Sequence, residues 1–187
     1  MLKIITGKAK GKLIKTLEGE ATRPTSQRIK EALLSSIQFD IENRRVLDLF
    51  AGSGGLGLEA MSRGASECMF VDLSREAIDI VKANAKATGF FESCRYLASD
   101  ARNYIRKASG REKFDLVFID PPYSLECCRE VLMKLKDSGI LADGAIVAIE
   151  GGGEVIDESS LLGFEVLKSS RYGSKTFLLI LLYREEK

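Results

Sequence analysis

Residues 44–60 read RRVLDLFAGSGGLGLEA: an apolar run reaching Asp48, a loop in which Gly52, Gly54 and Gly57 match G-x-G-x-x-G, and then a helical pattern. Glycines at this spacing let the backbone turn tightly between strand and helix and come close to a ligand. Asp72, near the end of the next apolar run CMFVDL, follows Gly52 by 20 residues. At that spacing an acid on a second strand meets ribose hydroxyls, so the pair reads as a nucleotide fingerprint. The stretch therefore predicts the first strand–turn–helix unit of a parallel sheet.

The same rhythm runs downstream. LGLEAMSRG is a helix ended by Gly64, CMFVDL a strand, and REAIDIVKANAKATG a helix ended by Gly89. CRYLAS, FDLVFID and GAIVAIE are further strands, with ARNYIRKAS and ECCREVLMKLKDSG as the helices between them. A parallel crossover nearly always needs a helix, so the alternation predicts an α/β doubly wound fold covered on both faces. The tail breaks the rhythm: FEVLKSSRYG and SKTFLLILLYR are two strands joined by a glycine-containing turn, an antiparallel pair at one sheet edge. Upstream, LKIIT and KLIKT flank the Gly7 to Gly11 turn and predict a β-hairpin. Thr25 or Ser26 then caps a helix predicted over 27–38, with Ile29, Leu33, Leu34 and Ile37 on one face.

A chain of 187 residues, 45% hydrophobic, suits one well-buried domain. The longest apolar run, FLLILLY at 177–183, falls far short of the roughly 20 residues that span a bilayer. The first residues lack the apolar core of a signal peptide, so a cytoplasmic protein without membrane contact is expected. There is no histidine, and Cys68, Cys94, Cys127 and Cys128 show no C-x-x-C spacing. Neither a zinc site nor a disulfide framework is suggested, and any chemistry must proceed without imidazole. The net charge of +1 is uneven: residues 1–38 hold eight Lys and Arg against Glu18, Glu20 and Glu31. A basic arm on a mildly acidic body fits a polyanionic partner, and a solvated basic terminus fits as well.

By spacing, the glycine loop admits a NAD-type oxidoreductase or a plain tight turn. Three details favour another adenosine cofactor. Asp48, four residues before Gly52, is a poor neighbour for pyrophosphate and a good one for a cationic sulfonium or ammonium. Asp100 ends the third strand, where an adenine amino group can donate to it. The C-terminal strand pair is the third detail. The order Asp48, Gly52-Ser53-Gly54, Asp72, Asp100 and DPPY resembles Rossmann-like class I S-adenosylmethionine-dependent methyltransferases over 44–183. The resemblance implies a seven-stranded sheet and a cofactor site that also includes Leu73 and Ala101.

LVFIDPPY, residues 116–123, ends the fourth strand of the alternation in an acid, two prolines and a ring. Prolines cannot continue a strand, so they form a stiff turn at the edge where ligands bind in doubly wound sheets. Asp120 and the Pro121 carbonyl can accept hydrogen bonds from an amino group, Pro122 stiffens the turn, and Tyr123 offers a stacking face. Methyl transfer to such an amine is mainly a matter of positioning. DPPY resembles the [DNS]-PP-[YFW] motif of methyltransferases acting on adenine, guanine or cytosine amines or a glutamine amide.

ITGKAKGKLI, ATRPTSQRIKEALLSSI, LDLFAGSGGLGLEAMSRGA, DPPY and RYGSKTFLLILLY together resemble bacterial RsmD-type 16S ribosomal RNA guanine-N2 methyltransferases over essentially the whole chain. RPTSQRIKEALL is the most specific element. The resemblance implies methyl transfer to N2 of one guanine in 16S ribosomal RNA, free or in the 30S particle, by a monomer. It divides the chain into a basic RNA-binding appendage, 1–38, and a methyltransferase domain, 39–187. Lys8, Lys10 and Lys12 on the hairpin, with Arg23 and Arg28 beside the Pro24 turn, are the expected phosphate contacts. Glu150, after the fifth strand of the alternation, is placed where it can face the pocket, while Tyr172 and Tyr183 read as packing residues. A DNA adenine or protein glutamine methyltransferase remains the alternative, and a NAD-dependent oxidoreductase a more distant one.

Overall fold

Val46, Leu116 and Ile146 turn to one face of the central sheet and Leu47, Val117 and Val147 to the other, and all six are buried. Strands covered on both faces read as continuous apolar runs, which is why these segments lack polar alternation. The computed structural model describes residues 1–17, 24–121, 125–152, 161–173 and 176–185. Pro122 and Tyr123 of the DPPY turn, and Arg23, lie outside the described residues.

The elements in chain order are β1 (Leu2–Lys3), β2 (Leu13–Ile14), α1 (Pro24–Ser36), β3 (Arg45–Asp48), α2 (Gly55–Ser62), β4 (Glu67–Asp72) and α3 (Arg75–Thr88). They continue with β5 (Cys94–Ala98), α4 (Ala101–Ala108), β6 (Phe114–Ile119), α5 (Leu125–Ser138), β7 (Leu141–Gly152), β8 (Phe164–Tyr172) and β9 (Thr176–Tyr183). Seven strands form one sheet in the order β5-β4-β3-β6-β7-β9-β8. The first five are parallel neighbours, and β9 runs antiparallel to both β7 and β8. This is the mostly parallel doubly wound sheet with an antiparallel edge pair that the sequence predicts. The order reverses between β3 and β6, which puts a crevice at their carboxyl ends. Among the described residues no helix is long and apolar enough to cross a membrane.

Helices α1, α2 and α3 supply apolar residues to one core layer, and α4 and α5 to the other. Helix α1 differs from its predicted span: it begins at Pro24, so Thr25 and Ser26 lie in its first turn and neither is its cap. Proline suits the first helical position because its missing N–H has no partner to lose there. Strand β7 starts three residues earlier than GAIVAIE, bending at Gly144 (φ 76°) opposite a register shift in β6.

The β1–β2 hairpin is bolted to the body by buried polar side chains. Glu59 of α2, 3% exposed, accepts from the Ile5 amide at 2.8 Å and the Thr6 amide at 3.0 Å. Ser62 accepts the Ala9 amide through its hydroxyl (2.9 Å) and the Lys8 amide through its carbonyl (2.8 Å). Asn84 of α3 accepts from the Lys15 amide at 2.8 Å and donates to the Ser53 carbonyl at 2.8 Å, joining hairpin and glycine loop. Gly7 makes this approach possible: a Cβ there would sit 1.8 Å from the Ser62 carbonyl oxygen. Tyr183 is buried and Tyr172 packs against the core, the packing role expected of both.

Candidate active site

Each glycine of the loop solves a different steric problem. Gly54, at φ 83°, is left-handed and precedes α2 directly. Gly57 allows α2 to lie on β4, since a Cβ would meet the Phe70 ring at 2.3 Å. Gly52 donates its amide to Asp72 Oδ2 at 2.9 Å, while Asp72 Oδ1 takes the Ser74 amide at 2.8 Å. Asp72 thus braces the loop before it meets any ligand.

Above the carboxyl ends of β3, β4 and β6 lies a cavity of about 630 Å³, within the ordinary range for small-molecule sites. Asp48, Gly52, Ser53, Asp72, Leu73, Asp100, Ala101, Asp120 and Pro121 all line it. The residues expected from separate strands therefore converge, with Gly54 shaping the loop from behind. Leu73 is 76% exposed, an apolar surface available to a flat ring. Asp100 caps α4 by accepting the Arg102 and Asn103 amides, and Arg102 beside it holds its carboxyl below the ordinary aspartate range.

Asp48 behaves differently from an exposed carboxylate. It is 2% exposed, and burial pushes its pKa up to about 7, against the pull of a Gly57 amide bond at 3.1 Å. Sequence parity explains the company it keeps. Asp48 pairs with Phe118, so Asp120, two residues on, shares its face. Ile149 pairs with Ile119, which brings Glu150 alongside Asp120. Asp48 ends β3, Asp120 follows the end of β6 and Glu150 lies two residues before the end of β7, all three on the α1 side of the sheet, and Lys30 of α1 reaches Asp120 Oδ2 at 3.3 Å. Lys30 escapes sequence reasoning because 90 residues separate it from Asp120; only its place inside RPTSQRIKEALL marks it.

On the hairpin, Lys8 and Lys10 are exposed, as is Arg28 on α1. Lys12 is exposed as well, but its ammonium is engaged. Its ammonium donates to the Ala87 and Thr88 carbonyls, both at 3.1 Å, at the end of α3. A cation there satisfies last-turn carbonyls and complements the helix dipole, so Lys12 is a docking residue. Glu59, Ser62 and Asn84 escaped the sequence reading because each looks like an ordinary polar position on an amphipathic helix.

A family model described as Conserved hypothetical protein 95 matches residues 2–181. The Bacillus subtilis protein YlbH is 34% identical over 92% of this chain and 94% of its own length. Escherichia coli Ribosomal RNA small subunit methyltransferase D is 32% identical over 80% of this chain and 74% of its own. Among solved structures, Escherichia coli yhhF superposes with a TM-score of 0.88 at 27% identity, covering 99% of each chain.

Proposed function

The chain belongs to the Conserved hypothetical protein 95 family, and from that premise we propose that it uses S-adenosylmethionine to methylate N2 of a guanine in small-subunit ribosomal RNA. The observation that carries the reading is the convergence of Asp120 and Pro121 with the glycine loop on one cavity at the sheet's switch point. The donor set fits the cofactor: acids at the ends of β3, β4 and β5 meet its amino and hydroxyl groups, and exposed Leu73 meets the adenine ring. When bound, the cofactor supplies a sulfonium methyl, which passes to the amine nitrogen as the carbon–sulfur pair stays on sulfur.

The chain's own work is orientation. Asp120 and the Pro121 carbonyl accept from the amino hydrogens, aim the nitrogen lone pair at the methyl, and stabilise the positive charge that grows there. Asp120, already holding that hydrogen bond, is the first acceptor of the released proton. Lys30 must give up its place on Asp120 as the base enters. Tyr123 stacks on the base and Pro122 stiffens the turn, so a base from a paired region is flipped out to reach them. Lys8, Lys10, Arg23 and Arg28 hold phosphates beside the pocket.

Labelled-methyl transfer to 30S particles, naked ribosomal RNA, DNA and protein tests the reading. N2-methylguanine in the RNA digest is the expected product. Label in N6-methyladenine of DNA, or in protein, would replace this substrate with the alternative one.

A further inference from the structure

Glu150 is buried, only 8% exposed, yet its Oε2 has no hydrogen-bond partner among the described residues. A buried carboxyl oxygen without a partner is costly, on the order of 1–3 kcal/mol, and calls for an explanation. Its surroundings say what. Glu150 follows Ile149, the register partner of Ile119, so it stands beside Asp120, which lines the cavity. It shares with Asp120 the field of Lys30. A second carboxyl group beside Asp120 gives the site an acceptor for a further N–H donor on the same edge of a base.

Guanine offers such a pair: the N2 amine and the ring N1–H beside it. Resting on the guanine-N2 reading above, we propose that Glu150 is a specificity-determining residue that accepts the N1–H of the target guanine while Asp120 holds the amine. Entry of the base moves Lys30 aside and gives Glu150 Oε2 the donor it lacks in the free protein. A base with a bare acceptor at N1 meets the carboxylate head-on and is rejected, because both groups would be buried without a hydrogen. The groups facing Glu150 are Asp120, just past β6, and Lys30 from α1, with the Cys128 thiol of α5 donating to its carbonyl. Burial, reinforced by Asp120, pushes its pKa up to about 8. The protonated acid can donate to a bare N1, so rejection strengthens as pH rises through that value.

2-Aminopurine is the discriminating probe, since it keeps the amine at C2 but has no hydrogen on N1. Reconstituted 30S particles would carry guanine or 2-aminopurine at the position the wild-type enzyme methylates. At pH 9 the wild type is expected to prefer guanine about 100-fold, with the ratio shrinking at pH 6.5. Glu150→Gln, whose amide can accept or donate, is expected to bring the ratio within about fivefold at both pH values. A purely structural Glu150 would slow both substrates equally, so an unchanged pH 9 ratio in Glu150→Gln overturns the proposal. If that variant melts early by circular dichroism, the wild-type ratio alone decides, and a pH-independent ratio overturns it. Absence of N2-methylguanine from the wild-type product removes the guanine reading itself, an outcome distinct from an unchanged ratio.

Discussion

Asp120 and Asp48 share one face of the sheet but differ in what their loss should do. Asp120 is partly exposed, paired with Lys30 at 3.3 Å, and lines the cavity. Asp120→Ala is expected to lower turnover at least about 100-fold, the scale of losing an oriented acceptor for developing charge. Binding of S-adenosylhomocysteine, followed by calorimetry, should stay within about threefold, because the glycine loop is untouched. Asp48 and Glu150 govern pH dependence instead. Their folded values, about 7 and about 8, lie above the ordinary 3.8 and 4.5, so the folded protein keeps protons that the unfolded chain releases. Stability contributed by these groups is therefore present below about pH 4 and lost as pH rises towards 8. Melting temperature should fall across that window, and Asp48→Asn should flatten its lower part. The glycines, Asp72 and Asp120 were legible because each ends or opens an element at a fixed spacing. Lys30 was not, since an ion pair between a helix and a distant strand leaves no local pattern.

The hairpin's cations differ in what they touch. Lys12 is spent on the carbonyls at the end of α3, whereas Lys8 and Lys10 point into solvent. Lys8→Ala with Lys10→Ala is expected to weaken RNA binding and reduce the salt slope of log K by about 0.7–0.9 for each phosphate no longer neutralised, with melting unchanged. Lys12→Ala should do the reverse, lowering the melting temperature and leaving the slope alone; filter binding at several salt concentrations separates the two. Gly7→Ala should free the hairpin, because the added methyl would strike the Ser62 carbonyl at 1.8 Å. Hairpin and helices were readable as elements from glycine and apolar spacing. Their docking was not, because Glu59, Ser62 and Asn84 act through tertiary amide bonds that no periodicity encodes.

At the scale of the whole molecule, Ile4, Ala9 and Ile14 of the hairpin share a core layer with Val46 and Phe118 of the sheet. Arm and body are thus expected to melt in a single calorimetric transition, and Ile4→Ala should cost about 2–5 kcal/mol of that one event. Two separable transitions would contradict the shared core. The doubly wound architecture was legible throughout, since alternating strands and helices admit few topologies. The insertion of β9 between β7 and β8 was less so, because two adjacent strands in sequence do not say which takes the inner place.

That inner place has a consequence for synthesis. Strand β7 is bordered on one side by β6 and on the other by β9, and β8 joins the sheet through β9. While the chain leaves the ribosome at about 5–20 residues per second, every other strand is available before residues 176–183 emerge. Until then β7 presents an apolar, unpaired border, the kind of surface on which nascent chains aggregate. A product stopped at residue 175 should accordingly collect in the pellet, however intact its glycine loop, and a stall late in translation should recruit holding chaperones to this one border.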